Sequence, residues 1–218
     1  MFSKKACKNR KNFDNADIRQ EKKIAKNVVL LHPQIHDIKM LTDRTLFLDR
    51  DGVINVQLVG DYVKTVAELE IRDDFLKAIP IIVKNFGKVF IVTNQQCIAK
   101  GLCTQADVDE VHRHLLQILE NHGIHITNIY VCPHLAGSGC TCRKPETGLA
   151  MQAKADYPDI DFARSVMVGD SASDMRFGRR CGMETVFIGK ITDENRTDIL
   201  ADSDHIVDSI YQYMSQIP

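Results

Sequence analysis

From residue 45 onward the chain alternates short, almost wholly apolar runs with longer amphipathic stretches. The runs fall at 45–48, 88–92, 128–131, 166–168, 185–188 and 205–207. Helices are predicted between them over 73–86, 104–122, 148–157, 172–181 and 209–216. The first opens on Asp73 as a capping residue and ends before Gly87, and the second opens on Thr104 and stops at Gly123. Strands that are apolar throughout must be covered on both faces, and strands that alternate with helices pair in parallel. The pattern therefore predicts an α/β fold: a mostly parallel sheet with helices on both faces.

Charge divides the chain in two. Residues 1–40 hold ten Lys/Arg against four Asp/Glu, which leaves 18 against 25 in the remainder. We expect a basic N-terminal extension, 1–44, ahead of one domain, 45–218. A net charge near −1 argues against a nucleic-acid or membrane-surface partner. No apolar run approaches the roughly 18–20 residues of a membrane span, and the N-terminus lacks the apolar stretch of a secretory signal. Seven Cys is an odd count, and three of them cluster with a His. That usage points to metal binding in a reducing, cytoplasmic compartment rather than to a disulfide framework.

Chemistry-bearing residues gather where the apolar runs end, the edge at which an open α/β sheet presents its ligands. Asp49-Arg50-Asp51-Gly52 follows the first run. Asp49 is placed to attack a phosphate, splitting hydrolysis into two easier steps. Asp51 is placed to protonate the leaving alcohol and then activate water, and Gly52 lets the backbone turn sharply. Thr93-Asn94-Gln95-Gln96 ends the second run, and the Thr93 hydroxyl with neighbouring N–H groups can hold phosphoryl oxygens. Lys144 supplies a point charge and Arg143 a planar fork for a second anion. Gly169-Asp170-Ser171 ends the fourth run. Asp170 would complete a Mg²⁺ site with Asp49 and a backbone carbonyl of Asp51, while Asp174 orders a metal water or tethers Lys144. Taken singly, each segment also reads as an ordinary turn or helix cap.

Cys132-x-His134-x5-Cys140-x-Cys142 is a stronger signal. Three thiols and an imidazole within eleven residues suit a closed tetrahedral Zn²⁺ site. The Ala136-Gly137-Ser138-Gly139 segment has little apolar surface to order it otherwise. We expect this zinc to be structural and to hold Arg143 and Lys144 over the site.

The order Asp-x-Asp, Thr, Lys, Gly-Asp over residues 45–190 resembles the haloacid dehalogenase (HAD) phosphatases. The resemblance implies a Rossmann-like sheet and Mg²⁺-dependent phosphomonoester hydrolysis through an aspartyl-phosphate. The Cys-Pro-His…Cys-x-Cys-Arg-Lys-Pro string is similar to the D-glycero-D-manno-heptose 1,7-bisphosphate 7-phosphatases and the related histidinol phosphatases. Residues 93–104 and Gly60-Asp61-Tyr62-Val63 resemble the heptose branch, which serves lipopolysaccharide and related glycans. This likeness makes Asn55, Tyr62, Asn94, Gln95, Gln96, Lys100, Arg143 and Ser171 candidate substrate-binding residues, with Arg143 and Lys100 offered to a second phosphate.

The chain departs from the heptose pattern at Cys97, where Gly is usual, and at Lys100, where Arg is usual. The five-residue gap between His134 and Cys140 is the short form found in histidinol phosphatases. A histidinol-phosphate phosphatase is therefore the alternative enzyme. A nucleic-acid 3′-phosphatase shares the Asp-x-Asp-Gly and Thr-Asn-Gln strings but is opposed by the acidic catalytic portion and the zinc loop, and a non-catalytic zinc-stabilised binding module is opposed by the retention of Asp49, Asp51 and Asp170. Roughly forty residues separate the first two motifs and fifty the next two. Neither gap has room for a cap domain, so an open site taking a small phosphorylated sugar is expected, on a monomer.

Overall fold

The computed structural model describes residues 43–218; nearly all of the expected extension, residues 1–42, lies outside the described residues. Six strands form one sheet: β1 (Thr45–Leu48), β2 (Lys88–Asn94), β3 (Asn128–Cys132), β4 (Ser165–Gly169), β5 (Glu184–Ile188) and β6 (His205–Val207). The helices between them are α1 (Asp73–Asn85), α2 (Gln105–Asn121), α3 (Gly148–Asp156), α4 (Ala172–Cys181), α5 (Arg196–Asp202) and α6 (Ile210–Met214). Strand order is β3-β2-β1-β4-β5-β6, and every pairing is parallel.

This order decides where a ligand can bind. The chain builds outward from β1 through β2 to β3, then returns to lay β4 against the other side of β1. Between β1 and β4 the connections leave in opposite directions, and a crevice opens at the carboxyl ends of the two strands. Asp49 and Asp170 each follow one of those strands directly. The Asp49 N–H donates to Val168 O of β4 at 2.9 Å, which stitches the crevice floor.

Alternate residues of the central strands β1, β2 and β4 feed two cores. Leu46 and Leu48 of β1 join Val89, Ile91, Val166 and Val168 under α1, α2 and α6. Phe47, between them in sequence, faces the other way and packs with Phe90, Tyr130, Met167 and Phe177 under α3 and α4. The Phe47 and Phe90 rings stack at 5.2 Å. Burial on both faces is why these strands read as unbroken apolar runs rather than as a period of two.

Helix boundaries follow local chemistry. Thr104 caps α2, its Oγ1 accepting from the Asp107 N–H, and Asp107 answers from the third position. The N-cap of α1 is Arg72, not Asp73 as expected. Arg72 is held extended by its N–H bond to Ile54 O, so the helix begins at Asp73, where a carboxylate faces the positive end of the helix dipole. The short helix α5 and the 3₁₀ turns Val66–Glu68 and Phe162–Arg164 were not anticipated. Among the described residues, neither the β1–β2 nor the β2–β4 connection carries an inserted domain.

Candidate active site

The crevice holds a cleft of about 190 Å³ lined by Asp49, Asp51, Tyr62, Thr93, Asn94, Arg143, Lys144, Asp170, Ser171 and Asp174, among others. Ten of the residues nominated from the sequence therefore share one wall system. At its centre is a buried lysine. Lys144 Nζ lies 2.6 Å from Asp49 Oδ1, 2.6 Å from Asp174 Oδ1 and 2.7 Å from Val92 O. Asn94 fixes the Lys144 backbone from both sides, accepting from its N–H at 3.0 Å and donating to its carbonyl at 3.2 Å. Burial works against the ammonium, but the Asp174 and Asp49 carboxylates outweigh it and raise its pKa. The lysine therefore stays charged.

Asp174 is the third residue of a capping box. Its carboxylate accepts from the Ser171 N–H at 3.1 Å and from the Ser171 hydroxyl at 2.6 Å, and Ser171 Oγ in turn accepts from the Asp174 N–H. The start of α4 thus anchors the lysine. Ser171 lines the cleft while serving as this cap.

Three acids crowd the cleft floor. Carboxylate oxygens of Asp49, Asp170 and Asp174 lie within 4.8 Å of one another. Burial pushes the Asp49 pKa up to about 7, with Lys144 opposing the rise and Asp174 and Asp51 adding to it. Burial followed by the charges of Asp49 and Asp174 pushes Asp170 up to about 8. Such a set of hard oxygen donors fits a divalent cation. Asp174 is already committed to Lys144 and Ser171, so Asp49 and Asp170 have the oxygens to offer. Gly52 keeps the space open: it sits at φ +87°, and a Cβ there would fall 1.9 Å from Asp170 Oδ2.

Asp51 is treated differently. Its carboxylate accepts from Arg50 Nη2 at 2.9 and 3.0 Å, from Asn55 Nδ2 at 2.9 Å and from Gln95 Nε2 at 2.8 Å. Burial would raise its pKa, but the Arg50 guanidinium and these amides more than offset it, and the pKa falls. Gln95 Nε2 also donates to Thr93 Oγ1 at 2.9 Å. Asn55 and Gln95 are both fully buried. Both donate to Asp51, and neither lines the cleft.

At the mouth, Gln96 Nε2 and Lys100 Nζ both donate to the Tyr62 hydroxyl, at 2.8 and 2.9 Å, and Gln96 Oε1 accepts from the Ala136 N–H. Gln96 thereby ties the 93–104 segment to the Cys/His loop. Neither Gln96 nor Lys100 lines the cleft. Arg143 does, and its Nη1 also donates to His134 O.

In the Cys/His loop, Cys132 Sγ stands 3.6 Å from His134 Nδ1, 3.7 Å from Cys140 Sγ and 3.1 Å from Cys142 Sγ, and Cys142 Sγ stands 3.2 Å from His134 Nδ1. Tetrahedral bonds of about 2.3 Å to sulfur and 2.1 Å to nitrogen give ligand–ligand edges of roughly 3.5–3.8 Å. Two of the four separations match such a cage, and the two that involve Cys142 are a few tenths of an ångström shorter; the four donors converge within 4.8 Å of one another, and all three thiols are free.

Two buried residues at the site were not singled out. Arg50 stands inside the Asp-x-Asp motif without an assigned role, and His112 of α2 lies 3.0 Å from its Nη1. His112 occupies the apolar stripe Val108, Val111, Leu115, Leu119. Its spacing alone reads as core.

Comparison with known proteins agrees with this geometry. A HAD-hydrolase-like family model matches residues 141–213. The chain is 42% identical over 130 residues to a D-glycero-alpha-D-manno-heptose-1,7-bisphosphate 7-phosphatase of Mycobacterium tuberculosis, covering 60% of this chain and 68% of that one. It is 30% identical over 180 residues to a D-glycero-beta-D-manno-heptose-1,7-bisphosphate 7-phosphatase of Escherichia coli, covering 79% and 91%. The crystal structure of a D,D-heptose 1,7-bisphosphate phosphatase from B. bronchiseptica, complexed with magnesium and phosphate, superposes with a TM-score of 0.69 at 27% identity, covering 79% and 97%. The chain belongs to the HAD-type phosphatases, in the branch of the heptose-1,7-bisphosphate 7-phosphatases.

Proposed function

We propose that this phosphatase removes the 7-phosphate of D-glycero-D-manno-heptose 1,7-bisphosphate through an aspartyl-phosphate on Asp49, in the supply of heptose for lipopolysaccharide or related glycans. The observation that carries this reading is the pairing of a Lys144-bound Asp49 with a separately gripped Asp51 in one open cleft. Asp49 attacks phosphorus and forms the acyl phosphate while the O7–phosphorus bond breaks. The incoming phosphate dianion raises the proton affinity of neighbouring acids, and Asp51 delivers a proton to the departing O7. Asp51 then takes a proton from water, which attacks the aspartyl-phosphate and releases inorganic phosphate with Asp49 restored. Lys144 and Thr93 bind the phosphoryl oxygens, and Lys144 keeps the Asp49 oxygen aimed.

A Mg²⁺ ion held by Asp49, Asp170 and the Asp51 backbone carbonyl would supply the positive charge that lets a carboxylate approach a phosphate dianion. Cys132, His134, Cys140 and Cys142 would hold a structural Zn²⁺ that orders the loop ahead of Arg143 and Lys144. Arg143, which lines the cleft, is offered to the second phosphate. We further propose that residues 45–218 form the phosphatase domain of a monomer working in the cytoplasm, where the loop thiols stay reduced.

The test is kcat/KM on the α and β anomers of the heptose bisphosphate and on histidinol phosphate, beside the Asp49→Asn variant. We expect one heptose anomer to lead, and roughly a 10³-fold or greater loss in Asp49→Asn with an unchanged circular dichroism spectrum. A lead for histidinol phosphate would overturn the substrate, and an active Asp49→Asn enzyme would overturn the covalent step.

A further inference from the structure

α2 meets the Asp-x-Asp loop through a buried contact between His112 and Arg50. Arg50 is wholly buried, an expensive place for a guanidinium unless every N–H finds a partner. Its Nη2 grips both Asp51 oxygens, and Nε reaches Oδ1 at 3.3 Å. That leaves Nη1, whose described side-chain partner is His112 Nε2 at 3.0 Å. The guanidinium has no lone pair to give. His112 Nε2 must therefore be the acceptor, which requires a neutral ring carrying its proton on Nδ1.

We infer that His112 is a positioning residue for Asp51: as a neutral hydrogen-bond acceptor it fixes the Arg50 guanidinium in the orientation that grips the Asp51 carboxylate. This rests on the reading of Asp51 as the group that protonates the leaving alcohol. Charge works in the same direction. Burial and then the Arg50 charge push the His112 pKa down to about 4, with Asp51 and Asp109 pulling weakly the other way. A protonated ring would point an N–H at an N–H and drive the guanidinium off the acid. The other grips on Asp51, from Asn55 and Gln95, come from the motif loop and the end of β2. His112 is the contribution of α2, so the helix reaches the acid only through Arg50.

A positioning role has a signature that a purely structural role lacks. Protonation of the leaving group matters for an alkoxide and hardly at all for a dinitrophenolate. General acid catalysis is worth roughly 10²–10⁴-fold, so mis-aiming the acid is expected to cost about tenfold or more on the alkyl ester.

The experiment compares kcat/KM on the heptose bisphosphate and on 2,4-dinitrophenyl phosphate for His112→Leu, His112→Met and His112→Gln. We expect Leu and Met to lose about tenfold on the sugar ester and less than threefold on the aryl ester. Gln, whose amide oxygen can accept from Nη1, is expected to restore the ratio. Equal losses on both esters, no loss in a folded variant, failure of Gln to rescue, or Leu and Met proteins that cannot fold would each overturn the inference and leave His112 a core residue. Asp51→Asn separates the two ideas. If it too hits both esters equally, the proton-donor reading of Asp51 fails. If it is selective for the sugar ester while His112→Leu is not, only the positioning role fails.

Discussion

The two acids of the Asp-x-Asp motif have opposite electrostatic histories two residues apart. Burial, with neighbouring acids adding to it and Lys144 opposing it, raises the proton affinities of Asp49 and Asp170 to about 7 and about 8; Asp51 is surrounded by donors, and its affinity falls. A carboxyl that holds its proton more tightly in the fold than in the unfolded chain contributes stability below about pH 4, and that contribution is lost as pH climbs through 7 and 8. A cation binds the deprotonated pair and reverses the loss. We therefore expect the rise in melting temperature on adding Mg²⁺ to be small at pH 5.5 and to grow steadily to pH 8.5, with protons released on binding. Thermal melts with and without Mg²⁺ across that range, with calorimetry in two buffers of different ionisation heat, check it. A pH-independent Mg²⁺ effect would remove Asp49 and Asp170 as the cation's ligands. Of these residues, Asp49, Asp51, Thr93 and Asp170 are legible in the sequence because each stands at the end of an apolar run, and Lys144 because it follows the Cys/His string in a telling order. Asn55 and Gln95 are named there only by resemblance, as substrate binders rather than as partners of Asp51, and His112 is not named at all. Their hydrogen bonds to the acid, or to its clamp, exist only after helix and loop have packed together, and a His inside an apolar stripe looks like any other buried side chain.

Among the elements, the strands are read from sequence almost to the residue, since burial on both faces leaves little room for polar interruption. The helices that sequence locates well carry a breaker or a cap, as Thr104 does for α2 and Gly182, in the left-handed conformation, does after α4. α5 escapes because a single buried residue, Ile199, gives it no stripe to detect. The Cys/His loop is an element of another kind, ordered by ligation rather than by a core. Cys142 lies two residues before Lys144, so the loop and the catalytic lysine share a short tether. We expect one zinc per chain by plasma emission spectrometry. Stripping the metal should open residues 132–142 to limited proteolysis and lower kcat/KM even with Mg²⁺ restored. An intact loop and full activity after removal would show that the thiols need no metal.

For the molecule as a whole, stability comes from the two apolar layers that sandwich the sheet, and chemistry from the crevice where connection direction reverses. These can be perturbed separately. Phe90 is fully buried, stacks on Phe47 and lies on the face away from α1 and α2. Truncating such a ring costs about 3–5 kcal/mol. We expect Phe90→Ala to shift the urea midpoint accordingly while kcat of the folded fraction, measured in the cold, changes less than twofold. A large kcat defect would show that this core layer and the crevice are mechanically joined. The central position of β1 has a further consequence for biogenesis. β1 leaves the ribosome about 120 residues ahead of β4, so a greasy strand must wait, lacking one neighbour, until β4 has been translated. Long-range parallel pairing of this kind is slow and prone to misassociation. A nascent chain stalled before β4 emerges is therefore a natural client for chaperones.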